Sequence, residues 1–185
     1  MPVPEFAPFG PAHLDLLLRH PPSVVSFHFG LPEDAAVAAL KNTGTTILCS
    51  ATTVEEARWL ETRGVDAIIA QGWEAGGHRG VFLDLDNDAQ VGRFAMLTQV
   101  VGAVDVPVIA AGGIADGRGI AAAFALGASA VQIGTAFITT TETRSHGRHQ
   151  KAVENGHDSS TRISRSVSGQ PARPHRTTRI GADAS

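Results

Sequence analysis

The chain has 185 residues, 43% of them hydrophobic and 18% charged, with a formal net charge of −3, a composition that fits one globular domain. No apolar run reaches the roughly 18 residues needed to span a bilayer, because Asp116 and Arg118 interrupt the most apolar region; the amino terminus lacks the basic n-region of a signal peptide, and a single cysteine, Cys49, excludes an internal disulfide, so cytoplasm is the expected setting. Residues 1–143 carry 7 Lys/Arg against 15 Asp/Glu, whereas residues 144–185 carry 8 against 3, which marks the tail as a chemically different segment.

Residues 1–22 are proline-rich with one short apolar run, Leu14 to Leu18, and predict an irregular connection with a single helical turn. Val24 to Phe29 reads as a strand stopped by Gly30, and Pro32-Glu33-Asp34 opens a helix over Ala35 to Lys41. Thr45 to Ser50 is a second strand; Thr52 or Thr53 with Glu55 or Glu56 caps a helix that Gly64 stops after Arg63. The short β-branched run Ala67-Ile68-Ile69-Ala70 is a buried third strand. After a glycine-rich loop and a polar excursion at Asp84 to Asp88 come a helix from Gln90 to Ala103, a strand from Val106 to Ala111, an Ala-rich helix capped by Asp116 and running to Leu126, and a last strand from Ala130 to Ile133.

Gly64-Val65-Asp66-Ala67-Ile68 and Gly127-Ala128-Ser129-Ala130-Val131 repeat one pattern of glycine stop, turn and buried strand, as successive β/α units would. Five such units imply an α/β fold with a parallel sheet that holds ligands beyond the carboxyl ends of its strands. A closed barrel of eight units typically needs about 250 residues, so the barrel is incomplete. Residues 1–22 are then an irregular connection, 23–140 the partial barrel, and 141–185 an irregular basic tail without sustained periodicity.

The stretch that organises the chain is Gln71-Gly72-Trp73-Glu74-Ala75-Gly76-Gly77-His78-Arg79-Gly80, directly after the third strand. Its glycines leave backbone N–H groups open to a planar or anionic ligand, and His78 is the side chain there that trades a proton near neutral pH. The competing reading is a surface histidine whose ring satisfies a backbone carbonyl. Gly112-Gly113 and Gly134-Thr135 follow the last two strands, where barrel enzymes hold phosphate; the alternative is that Gly112 and Gly113 only permit a tight turn.

Read with Pro107 to Arg118 and with Val131-Gln132-Ile133-Gly134-Thr135, this stretch resembles the nitronate monooxygenase family, formerly 2-nitropropane dioxygenases, over residues 21–140. The resemblance implies an FMN-dependent (β/α)8-type TIM barrel of which the fourth to eighth strands are present. It implies FMN contacts at Gln71, Gly76, Gly113, Gln132, Ile133, Gly134 and Thr135, with the phosphate near Gly113, Gly134 and Thr135. His78 corresponds to the histidine over the flavin, which binds the nitronate or removes the α-proton of a neutral nitroalkane. The implied reaction oxidises alkyl nitronates, nitroalkanes or propionate 3-nitronate with O2 to carbonyl compounds and nitrite or nitrate, without a metal and without a nucleic-acid or membrane partner. Ser168 to Arg173 also looks like the family's C-terminal segment.

Two alternatives stay open. FMN-dependent enoyl-acyl-carrier-protein reductases share the glycine-histidine loop and the Ala-Ala-Gly-Gly-Ile motif, and a truncated barrel fragment without activity is the non-enzymatic reading, since it leaves a free sheet edge at residues 24–29.

Other patterns fail on inspection. Gly117 to Ala122 spells a dinucleotide fingerprint but starts several residues past the strand, with no acid before Glu142 to hold a ribose. Asp84, Asp86 and Asp88 imitate a calcium loop, yet Ala89 and Ala95 stand where glycine and glutamate are required. His146 and His149 lack a third metal ligand, and the basic tail lacks the aromatic residues of a nucleic-acid surface. Glu74 is expected to orient the loop by pairing with a cation, Trp73 to wall the pocket or cover a helix, and His28 to be a satisfied histidine.

Overall fold

The computed structural model describes residues 9–85, 89–166 and 168–176. Strands β1 (Val24–Phe27), β2 (Thr46–Ala51), β3 (Ala67–Gln71), β5 (Val108–Ala111) and β6 (Ala130–Gln132) form one sheet in the order β1-β2-β3-β5-β6, every pair parallel. Helices α2 (Asp34–Asn42), α3 (Val54–Thr62), α4 (Arg93–Val101) and α5 (Gly117–Ala125) make the crossovers. Spatial order follows chain order with no reversal, which is the pattern of a barrel wall rather than a doubly wound sheet. The fold is therefore an incomplete TIM-barrel-type α/β sheet.

Burial follows from this arrangement. Every residue of the central strand β3 is buried, whereas β1 and β6, each paired on one side among the described residues, are partly exposed. The side chains of Ile68 and Ala70 join Leu60, Met96, Leu97 and Val100 in the layer between sheet and helices, where burying each large aliphatic group contributes about 1.5–3 kcal/mol. Strand alternation sends Ile69 and Gln71 to the opposite face. No described helix is long and apolar enough to cross a membrane.

Local chemistry fixes the element ends. Thr53 accepts from Glu56 N at 3.1 Å and caps α3, and Asp116 accepts from Arg118 N and Gly119 N at α5. Gly64 ends α3's turn at φ +75°. β1 stops at Phe27, two residues short of the expected Phe29, because Phe29 and Gly30 take φ of +69° and +85° and turn the chain away.

Two regions are more ordered than the sequence suggests. The amino-terminal connection holds a nine-residue helix, α1 (Pro11–Arg19), started by a proline at its first turn and closed by an Asp15–Arg19 ion pair of 2.7 Å. Beyond residue 141 lie α6 (Gly147–Glu154) and β7 (Ala172–Arg173); β7 pairs antiparallel with β4 (Gly77–His78) inside the histidine loop. Asp86, Asp88, residues 1–8 and residues 177–185 lie outside the described residues.

Candidate functional site

Gln71, Ala111 and Gln132 end three neighbouring strands and stand in register: Gln71 pairs with Ala111, and Ala111 with Gln132. The loops that follow therefore leave from one rim of the sheet. They also touch. A Cβ on Gly112, where φ is +96°, would lie 2.9 Å from Ala75 N, and one on Gly76 would lie 2.8 Å from Thr135 Oγ1, so the absence of side chains is what lets the three loops close together.

Between them lies a cavity of about 490 Å³, lined by Gln71, Glu74, Gly76, Gly113, Ile114, Gln132, Gly134, Thr135 and, from the C-terminal region, Val153, Thr161 and Arg173. Six residues expected at a ligand site, Gln71, Gly76, Gly113, Gln132, Gly134 and Thr135, share this wall. Ile133 does not line it, and neither does His78. A Cβ at Gly134 would meet no atom within 4 Å, so its backbone is bare toward open space.

His78 lies two residues beyond Gly76, exposed, on β4. Its Nε2 is 2.7 Å from Ser168 Oγ, and its ring meets the Phe29 ring edge-on with centroids 5.9 Å apart. The backbone beneath it is held from within the sheet. Gln71 Nε2 donates to the His78 carbonyl oxygen at 3.0 Å, and Gly80 N donates to Gln71 Oε1 at 2.7 Å. His28 Nε2 also stands 3.3 Å from the His78 carbonyl oxygen. One edge of the His28 ring keeps solvent contact, yet packing against Gly80 and the Phe29 ring strips enough water to lower its pKa, with the neighbouring His78 adding to the effect and the hydrogen bond opposing it.

Glu74 departs from its expected role. Both of its carboxylate oxygens accept from Arg93 N, at 3.0 and 2.8 Å, and so cap α4, whose own N-cap is Gly92 without a side chain. Trp73 does not line the cavity; the guanidinium groups of Arg79 and Arg173 lie 5.2 and 5.6 Å from its ring centroid. Arg79 is buried, with Nη2 donating to Ala89 O at 2.6 Å. Arg173 donates from Nη2 to Trp73 O at 2.9 Å and from Nη1 to Thr161 Oγ1 at 3.3 Å.

Sequence reasoning had not singled out Arg79, Arg173 or Thr161. The one signal for Arg173 was the likeness of Ser168 to Arg173 to the family's terminal segment; nothing local marks a charge for burial beside Trp73. Among the described residues no three His, Cys, Asp or Glu side chains gather at a metal-binding distance.

Comparison with known proteins adds an independent line. The family model for nitronate monooxygenase matches residues 10–183. A nitronate monooxygenase of Paraburkholderia phytofirmans is 47% identical over 175 residues, covering 94% of this chain and 48% of that protein. A solved nitroalkane oxidase from Streptomyces ansochromogenes superposes with a TM-score of 0.86 at 48% identity, over 90% of this chain and 48% of that one. FabK from Thermotoga maritima superposes with a TM-score of 0.79 at 36% identity, over 92% and 51%. The chain thus spans about half the length of the relatives it matches.

Proposed function

Because this chain belongs to the nitronate monooxygenase family, we propose that it holds FMN in the cavity at the carboxyl rim of β3, β5 and β6. There it oxidises alkyl nitronates, nitroalkanes or propionate 3-nitronate with O2 to carbonyl compounds and nitrite or nitrate. The observation that carries this reading is the register of Gln71, Ala111 and Gln132, which brings Gly76, Gly113, Gly134 and Thr135 round one hollow.

The residues fit the cofactor. The cavity volume lies within the roughly 300–1,000 Å³ usual for such sites. The positive-φ pair Gly112-Gly113 and the open backbone at Gly134 are a cradle that Cβ atoms would narrow, and Thr135 brings a hydroxyl to the same wall, as a phosphate site needs. Gln71, Gly76, Gly113, Gln132, Gly134 and Thr135 would hold FMN, which when bound supplies the electron acceptor that O2 regenerates.

The chain's own tasks are positional and electrostatic. His78 stands beside the cavity rather than in its wall, two residues beyond Gly76 and clamped through its carbonyl by Gln71, and from there its imidazole would stabilise the nitronate charge or take the α-proton of a neutral nitroalkane. Residues 23–140 form the binding unit, and the C-terminal region completes its wall through Val153, Thr161 and Arg173. A cytoplasmic setting goes with the single unpaired Cys49.

The test is O2 consumption by purified protein with ethyl nitronate, nitroethane and propionate 3-nitronate. His78→Asn should depress turnover by a factor on the order of 100 while leaving FMN content largely intact. NAD(P)H consumption with an enoyl thioester, without any response to nitronates, would select the reductase reading instead.

A further inference from the structure

We propose that Ser168 is a positioning residue for His78, and that its hydroxyl lets one imidazole serve both anionic nitronates and neutral nitroalkanes. This rests on the role given to His78 above. The geometry that carries it lies in residues 161–166 and 168–176, which are laid across the histidine loop. Thr161 bridges His175 and Ser164 bridges Ala172, so the segment folds back on itself as an antiparallel pair. Its outer strand β7 then pairs with β4, placing Ala172 opposite His78 and Arg173 opposite Gly77, while Arg79 N donates to Pro171 O at 2.8 Å.

Ser168 sits at the tip of that fold-back, where Gly169 at φ +77° reverses the chain and Gly169 N donates to Arg165 O at 2.8 Å. The tip cannot drift far from the loop, because the strand that follows it is tied to β4. Ser168 Oγ therefore stands 2.7 Å from His78 Nε2, across a separation of 90 residues, and Phe29 limits the ring from a second side.

The consequence is chemical. With Nε2 engaged, Nδ1 is the ring nitrogen left for a substrate. A serine hydroxyl both donates and accepts, and a neutral imidazole carries one proton on either nitrogen. When the hydroxyl donates to Nε2, the proton is on Nδ1, and an N–H faces the oxygens of a nitronate anion. When the hydroxyl accepts from Nε2–H, the lone pair is on Nδ1, and the ring is a base for the α-proton of a nitroalkane. The same hydrogen bond thus fixes the ring's direction without fixing its tautomer. The ionisable groups around this ring are His28 behind the loop, whose Nε2 stands by the His78 carbonyl oxygen, and Arg79 and Arg173 on the paired backbone, whose guanidinium groups lie over Trp73.

The experiment is nitrogen-15 NMR of the His78 imidazole, assigned by its loss in His78→Asn, in the wild type, Ser168→Ala and Ser168→Thr, alongside turnover with ethyl nitronate and with nitroethane. Ser168→Ala should change the Nε2 chemical shift of His78 and lower kcat/KM for both substrates by about tenfold, with FMN content unchanged. Ser168→Thr, which keeps the hydroxyl, should restore both readouts. An imidazole spectrum indifferent to Ser168→Ala overturns the inference, as does full turnover in that variant when His78→Asn has lost it. Turnover that survives His78→Asn instead removes the histidine from the proposed mechanism, a separate failure.

Discussion

Gln71 holds His78 by the backbone: the amide donates from Nε2 to the His78 carbonyl oxygen at 3.0 Å while its Oε1 accepts from Gly80 N at 2.7 Å. Both ends of a buried amide are thereby spent on one loop. Gln71→Leu leaves Gly80 N without its partner and the His78 carbonyl oxygen with only His28 Nε2 at 3.3 Å, and should destabilise the fold by on the order of 2 kcal/mol, measured as a lowered urea midpoint. Gln71→Glu keeps the acceptor for Gly80 but sets a carboxylate against the His78 carbonyl, so it should recover only part of that loss.

The glycines of the cavity separate into two kinds. Gly112 is needed by the fold, because an added Cβ at φ +96° would crowd Ala75 N at 2.9 Å; Gly112→Ala should cost on the order of 1–3 kcal/mol. Gly134 meets nothing within 4 Å, so Gly134→Val should change stability by no more than about 0.5 kcal/mol yet lower the FMN bound per chain. Thermal unfolding without FMN and cofactor content after loading read the two effects independently.

Much of this site is legible in the sequence alone. Glycine stops, β-branched runs and the spacing of the three loops sufficed to place β3, β5 and β6 and hence the rim that Gln71, Gly113 and Gly134 share. What stayed hidden was whatever depends on contacts distant in the chain. α6 is polar nearly throughout, so it lacks the apolar stripe that announces a helix. β7 has two residues, too few for alternation to register, and it is a strand because β4, distant in the chain, and Ser164, across a turn, pair with it. α1 was obscured by the surrounding prolines, although Pro11 at the helix start is a favourable position.

Glu56 illustrates a residue whose local role was read and whose distant role was not. Expected only at the α3 cap, its buried side chain accepts from Thr52 N at 2.6 Å, Thr52 Oγ1 at 2.7 Å, Phe82 N at 2.7 Å and Leu83 N at 3.3 Å. It ties the end of β2 to the chain leaving the histidine loop. Glu56→Ala should lower stability by on the order of 3 kcal/mol and speed amide exchange at Phe82 and Leu83, followed by hydrogen-exchange NMR.

His28 gives the fold a pH dependence. Burial of part of its ring lowers its folded pKa below 6.5, the value of an unburied histidine. The unfolded chain therefore takes up the proton first as the solution is acidified. Stability from this group is complete above about pH 6.5 and declines as pH falls toward the folded pKa. His28→Asn should flatten that part of the stability profile, measured as urea midpoints across the range; an unchanged slope would remove His28 as its source.

Cys49 is buried, and burial pushes its thiol pKa up to about 12. Almost no thiolate exists near neutral pH. Iodoacetamide should leave the native protein unmodified over times in which the urea-unfolded chain is fully alkylated. Rapid alkylation under native conditions would mean that the β1–β2 edge opens readily.

The most direct test of the account is a titration of the cofactor-free protein with FMN, followed by quenching of flavin fluorescence. One FMN per chain should bind saturably, with affinity weakened in Gly134→Val and retained in His78→Asn. A wild-type protein that folds but leaves flavin fluorescence unchanged would contradict the central claim that these loops form an FMN site.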